Sequence, residues 1–178
     1  MHPFGVSDAT WVEWGHAFIA SNIIAGTLFV LAWKAPAVAR ALLALMFLAA
    51  GVVNARTAMI NPGTYLDYAQ WATVPYYNFI EGPFAADPAR FVLPIAAGQI
   101  FCGAMLAFGG RRVARVGASG ATVFLLAIVP LGFGSAFPAT LIMAVGTMLL
   151  WETMPELALV QRLWAWIHRS EGSPSVEG

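Results

Sequence analysis

Five apolar stretches, at residues 14–33, 37–59, 91–108, 116–133 and 138–151, dominate the chain, and most hold 18 or more residues. A helix rises about 1.5 Å per residue, so about 20 apolar residues cross a hydrocarbon core of about 30 Å. With 60% hydrophobic and 10% charged residues, too few polar side chains remain to coat a water-facing surface. In lipid the open-ended structure that satisfies its own backbone is the helix, and the stretches lack the short alternating segments of a β-barrel. The expected fold is an all-α membrane protein with five transmembrane helices. Stretches two to five form a four-helix bundle, and the N-terminal helix packs against it.

Five spans use most of the 178 residues, so residues 1–170 read as one transmembrane domain. The remainder, 171–178, is a Gly/Ser/Pro/Glu-rich tail of the kind that stays disordered. Net charge is zero, which offers nucleic acid no electrostatic footprint. The distribution of charge is more telling. Lys34 and Arg40 lie between the first two stretches; Arg111, Arg112 and Arg115 lie between the third and fourth; Arg162 and Arg169 follow the fifth. If every stretch crosses, these seven share one side and only Arg56 and Arg90 take the other. The positive-inside rule then puts the N-terminus outside and the C-terminus in the cytoplasm of a plasma (inner) membrane. Residues 1–13 hold no Lys or Arg, unlike the basic start of a signal peptide, and Lys34 suits a retained N-out helix. Neither end carries a lipidation motif.

Small residues recur four apart at Gly51/Ala55, Gly103/Ala107 and Gly117/Ala121, the spacing that lets neighbouring helices approach closely. Pro94 falls in the first turn of the third stretch, whereas Pro130 lies inside the fourth and is expected to bend it. Thr153 and Glu156 have capping-box spacing with Pro155 in the first turn of a new helix. From Leu157 onward, Leu157, Val160, Leu163, Trp164 and Ile167 alternate with Gln161, Arg162, His168 and Arg169 in an amphipathic helix on the cytoplasmic surface. No internal repeat supports an inverted-repeat transporter.

The connection at 61–90 differs from all others. It runs for 30 residues and holds all four tyrosines, Tyr65, Tyr68, Tyr76 and Tyr77, with Trp71, Phe79 and Phe84. Asn61-Pro62-Gly63 reads as a turn, Thr64 and Asp67 as caps of a short helix bearing Tyr65, Tyr68 and Trp71, and Pro75, Gly82-Pro83 and Asp87-Pro88 as breaks. A long loop this aromatic is functional rather than disordered. It is expected to fold back as a lid on the outer ends of the helices. An aromatic belt at the headgroup level is the plainer reading.

A ligand pocket is the sharper one, because polar residues of neighbouring helices converge at the same depth. Asn54 and Arg56 lie near the outer end of stretch two, Glu13 and His16 near that of stretch one, and Asp67 and Glu81 in the lid. Ionisable groups at membrane depth are functional candidates. For Arg56 the structural alternative is snorkelling to the interface with Glu81 or Asp67 as partner. Gln99 and Asn22 are candidates for bonds to a neighbouring helix. The ligand-binding set is thus Asn54, Arg56, Tyr65, Tyr68, Trp71, Tyr76, Tyr77, Glu81, His16 and Gln99. No catalytic residue emerges. His2 and His168 lie at opposite ends from one another, and no metal spacing, phosphate loop or nucleophile elbow is present. The lone Cys102, inside stretch three, excludes an intrachain disulfide and a CxxC pair.

Residues 37–151 resemble the DoxX-like membrane proteins. The likeness rests on Arg40 leading into a helix that carries Gly51, on the polar loop that follows, and on AAGQIFCGAMLAFGGRRVARVGASGATVFLLAIVP with its Gly-plus-basic turn at residues 109–112. The N-terminal helix and the long aromatic loop depart from that family's compact four-helix form. The resemblance implies a four-helix core and a quinone-linked or accessory subunit. The expected function is therefore a small membrane subunit that binds a quinone- or lipid-like ligand under the lid and acts with a partner oxidoreductase or other membrane complex. The alternative is a non-catalytic accessory protein that docks onto such a complex. No intrinsic cofactor is expected.

Overall fold

The computed structural model describes residues 8–157 and residue 161, with side chains from Trp11 onward. Among these residues every regular element is helical: α1 (Asp8–Lys34), α2 (Pro36–Ile60), α3 (Val74–Phe79), α4 (Pro88–Phe108), α5 (Arg111–Ile128) and α6 (Ala139–Glu152). Two 3-10 segments, Pro62–Trp71 and Val129–Ser135, and a π-helical turn, Ile80–Phe84, complete the path. Four stretches are long and apolar enough to cross a membrane: Trp11–Lys34, Pro36–Ile60, Pro88–Phe108 and Arg111–Ser135. Helix α6 has 14 residues, which rise about 21 Å against a hydrocarbon core of about 30 Å.

The long helices form a closed ring in the order α1, α2, α4, α5, α6 and back to α1. Helix α1 therefore has two helical neighbours and completes the ring. Residues 44 and 48 of α2 face Gly103 while Gly51 faces Ala96 and Ile100, so α2 and α4 run antiparallel. Helices α1 and α6 run parallel, with Phe29 against Gly146 and Thr153 Oγ1 donating to the Ala32 carbonyl at 3.0 Å. The small-residue spacing marks real contacts. A Cβ on Gly103 would stand 2.8 Å from Leu48 N and 2.9 Å from Ala44 O, and one on Gly51 would stand 2.8 Å from Ala96 O. Only glycine admits backbones this close. Gly117 meets Cys102 O in the same way, between α4 and α5.

Alanines share the interior of the ring with larger residues such as Leu43, Phe47, Leu106, Leu125 and Leu150, and many large apolar side chains face outward. Ala25, Ala96, Ala114, Ala118, Ala121, Ala139 and Ala144 are fully buried, whereas Leu45, Val52, Val53, Phe101, Phe108 and Val123 are exposed. An outward-facing belt of large apolar side chains suits hydrocarbon rather than water.

At the end of the ring where α2 begins, Arg40 is buried at 1% exposure. Its Nε–H donates to the Leu106 carbonyl at 2.7 Å, its Nη1 to Pro155 O at 3.1 Å, and its Nη2 to Gly109 O. Leu106 lies in the last turn of α4 and Gly109 is its C-cap, where unpaired carbonyls and the negative pole of the helix dipole attract a cation. Nearby, the Arg115 guanidinium lies 4.4 Å from the Trp151 ring and donates to the Trp151 carbonyl.

Several local expectations are corrected. Helix α4 begins at Pro88, so Pro94 lies inside it and not in its first turn; Asp87 caps the start by accepting from Arg90 N at 3.2 Å. Pro130 does not bend a continuing helix. Helix α5 stops at Ile128, and Gly132, at φ 60 and ψ −130, turns the chain out of helical geometry. Thr64 and Asp67 make no capping bond on Pro62–Trp71, whose N-cap is Asn61. Thr153 forms no capping box, because its hydroxyl donates to Leu149 O and Ala32 O and it closes α6 instead. Asn22 bonds Phe18 O of its own helix, at 2.9 Å, rather than a neighbour. The amphipathic helix beyond Leu157 and the tail at 171–178 lie outside the described residues, Gln161 apart.

Candidate functional site

At the opposite end of the ring, the connection after α2 packs against residues near the helix ends. Its apolar residues Ala69, Ile80 and Phe84 pack with Ala58 of α2, Val92 of α4 and Leu131 beyond α5. Two polar contacts fasten it to the end of α5: Thr73 N donates to Pro130 O at 2.9 Å and Tyr76 OH to Ala127 O at 2.7 Å. The segment Val129–Ser135 and the segment Pro62–Trp71 approach closely because of two glycines. A Cβ on Gly132 would stand 2.6 Å from Trp71 O, and one on Gly134 would stand 2.6 Å from a Tyr68 ring carbon. The positive φ of Gly132 adds a second reason for glycine there.

Between this connection and α1 lies a cleft of about 420 Å³, within the range of small-molecule sites. Helix α1 contributes Glu13, Trp14, Ala17, Phe18 and Ser21. Thr64, Asp67, Tyr68, Gln70 and Trp71 form the facing side, with Phe133, Gly134 and Ala136 beside them. The aromatic rings brace one another. Phe18 and Phe133 stack at 4.9 Å with planes 13° apart, Trp71 lies 5.7 Å from Phe133, and Trp11 backs both phenylalanines.

Behind the cleft is a part-buried polar cluster. Asn54 Nδ2 donates to Gln99 Oε1 at 2.8 Å, and Tyr65 OH donates toward the Asn54 carbonyl and side-chain oxygens at 3.0 and 3.2 Å. The Tyr65 ring stacks on Tyr68, 6.3 Å away, and Tyr68 faces the cleft. Burial pushes the Tyr68 phenol above its ordinary pKa, reinforced by the Asp67 carboxylate beside it. Burial also raises that of Tyr65, partly offset by its contact with the Thr57 hydroxyl and assisted by Tyr68. Neutral phenols at this place present an O–H donor and an apolar face together.

The ten predicted ligand-binding residues separate into three groups. Tyr68 and Trp71 line the cleft. Asn54, Gln99 and Tyr65 form the cluster behind it, and Gln99 bonds a neighbouring helix. Arg56, His16, Tyr77 and Glu81 are exposed and absent from the cleft wall, and Tyr76 is committed to Ala127. Arg56 makes no ion pair with Asp67 or Glu81 among the described residues. Phe18, Ser21 and the 133–136 wall fall outside the predicted set. The signal for that wall is Pro130, Gly132, Gly134 and Pro138, a cluster of breakers inside what otherwise reads as continuous apolar sequence, whereas Phe18 and Ser21 on α1 carry no such signal. Among the described residues, no three His, Cys, Asp or Glu side chains gather in a metal-holding group. No family model, curated protein or solved structure matches the chain.

Proposed function

We propose that this chain is a multi-pass membrane protein that binds an amphiphilic, quinone- or lipid-like ligand in the aromatic cleft and serves a partner membrane complex. The observation that carries the reading is the cleft itself, walled by Trp14, Phe18, Tyr68, Trp71 and Phe133, with polar groups of α1 and the facing segment among them. An aromatic wall with a few polar contacts suits a ligand with an apolar body and a polar head. The connection between α2 and α4 then acts as a lid on the helix ends.

In this reading α6 crosses as a fifth span, flanked by α1 and α5 and lengthened by the non-helical chain before it. The lid end faces outward. Lys34, Arg40, Arg111, Arg112 and Arg115 gather at the other end, which the positive-inside rule assigns to the cytoplasm. A partner is invoked because the sequence contains no acid–base or metal grouping of a self-sufficient enzyme, and the DoxX-like resemblance points the same way. Purification in mild detergent, with mass spectrometry of all copurifying small molecules and proteins, tests the proposal. A bound amphiphile that is lost from a Trp71→Ala variant is the expected result. A protein complex copurifying with an empty cleft favours a purely structural accessory role. A lone, ligand-free monomer that turns over a substrate overturns both.

A further inference from the structure

We infer that the polar head accepted by the cleft is an organic cation, of the alkylammonium or quaternary ammonium class. The inference rests on the amphiphile reading above and narrows it. Among the described residues that line the cleft, Glu13 and Asp67 are the two acidic side chains. Glu13 stands on α1 and Asp67 on the facing segment, so carboxylates come from two sides of the opening. No Lys, Arg or His lines it among the described residues. The basic groups at this end, among the described residues Arg56, Arg90 and His16, are exposed and do not line the cleft.

The aromatic lining fits the same head. Trp14, Tyr68 and Trp71 are electron-rich rings, and a cation near such a ring face is attracted by its quadrupole, most strongly where water is displaced. A phosphate or carboxylate head would meet two carboxyl side chains and, among the described lining residues, no base. A neutral head can exchange hydrogen bonds with Tyr68, Thr64 and Gln70 and donate hydroxyls to the carboxylates, but it lacks the charge attraction that a cation adds. Braced rings also keep the wall in place before the ligand arrives, which lowers the entropic cost of binding. Phe18, stacked on Phe133, supplies apolar surface for the chain attached to the head.

The test compares three amphiphiles with one octyl chain and different heads: octyltrimethylammonium, octyl glucoside and octyl phosphate. The full chain is held in maltoside micelles, and tryptophan fluorescence or calorimetry gives each dissociation constant. The trimethylammonium head is expected to bind at least about tenfold tighter than the glucoside, with the phosphate weakest. Combining Glu13→Gln with Asp67→Asn should shrink the ratio of glucoside to cation dissociation constants from about tenfold toward one. Trp71→Leu, which keeps apolar volume but removes a ring, should weaken the cation more than the glucoside. The head-group ranking on the unaltered chain decides the matter even if a variant fails to fold. Equal binding of all three, or a preference for phosphate, overturns the cation assignment and leaves the amphiphile reading standing. No binding by any of them overturns that reading and the cation assignment with it.

Discussion

Arg40 donates from Nε to the Leu106 carbonyl at 2.7 Å, joining the first turns of α2 to the last turn of α4. The same guanidinium reaches Gly109 and Pro155, so one buried cation ties together the ends of α2, α4 and the chain leaving α6. Its planar fork of donors suits this task, because several carbonyls can be satisfied from one fixed group. The charge also sits at the C-terminal pole of α4, where the helix dipole favours it.

Arg40→Met is expected to destabilise the fold by about 2–4 kcal/mol, since buried carbonyls lose their donors. Arg40→Lys keeps a charge but not the fork, and should fall between Met and the unaltered chain. Reversible unfolding in mixed micelles measures both. A methionine variant as stable as the unaltered chain would remove Arg40 from its structural role.

Glycines on the α4 surface should separate sharply by the neighbours they meet. Gly103→Ala puts a methyl against the α2 backbone at Leu48 and Ala44, and overpacking of this kind costs about 1–3 kcal/mol. Gly98→Ala meets nothing within 4 Å and should be neutral or stabilising by up to about 1 kcal/mol through helix propensity. Comparing the two melting temperatures checks the α2–α4 contact directly. Equal effects would contradict it.

Alkaline pH should loosen the cleft wall through Tyr68. Its phenol is raised above the ordinary 10.0 by burial and by Asp67, so the folded state holds the proton more tightly than the unfolded chain. The resulting stability is fully present below pH 10 and is lost as pH rises through the higher folded-state value. Tyr68→Phe should flatten the decline in melting temperature measured upward from pH 9. A decline as steep as before would assign the loss to other groups.

The orientation proposed for the chain predicts opposite labelling of its two ends. With Cys102 replaced by Ser, a cysteine at Gln70 should react with an impermeant maleimide added outside intact cells, and one at Arg112 only after the membrane is opened. Both positions are exposed. Reaction of both from outside would defeat the N-out, C-in arrangement.

The long helices are legible in the sequence itself, because in lipid each apolar stretch must satisfy its backbone within itself and the signal is local. Small-residue spacing likewise marks Gly51, Gly103 and Gly117 as contact points, since the room for a Cβ is a property of one residue and its neighbour. The aromatic connection also stands out along the chain and, within it, Tyr68 and Trp71. Which side chains meet is another matter. Arg40 reads as one basic residue among several near a helix start, and its burial follows from where α4 and α6 end in space. Glu13 and Asp67 lie 54 positions apart in the chain, and they face one cleft because α1 closes the helix ring beside α6 and the 132–134 glycines draw the Pro62–Trp71 segment in. Arg56 and Glu81, chosen for their depth along the chain, stand outside that cleft. Depth is encoded by distance along a helix, whereas facing depends on the rotation and order of helices around the ring, and those are settled by packing between residues far apart in sequence.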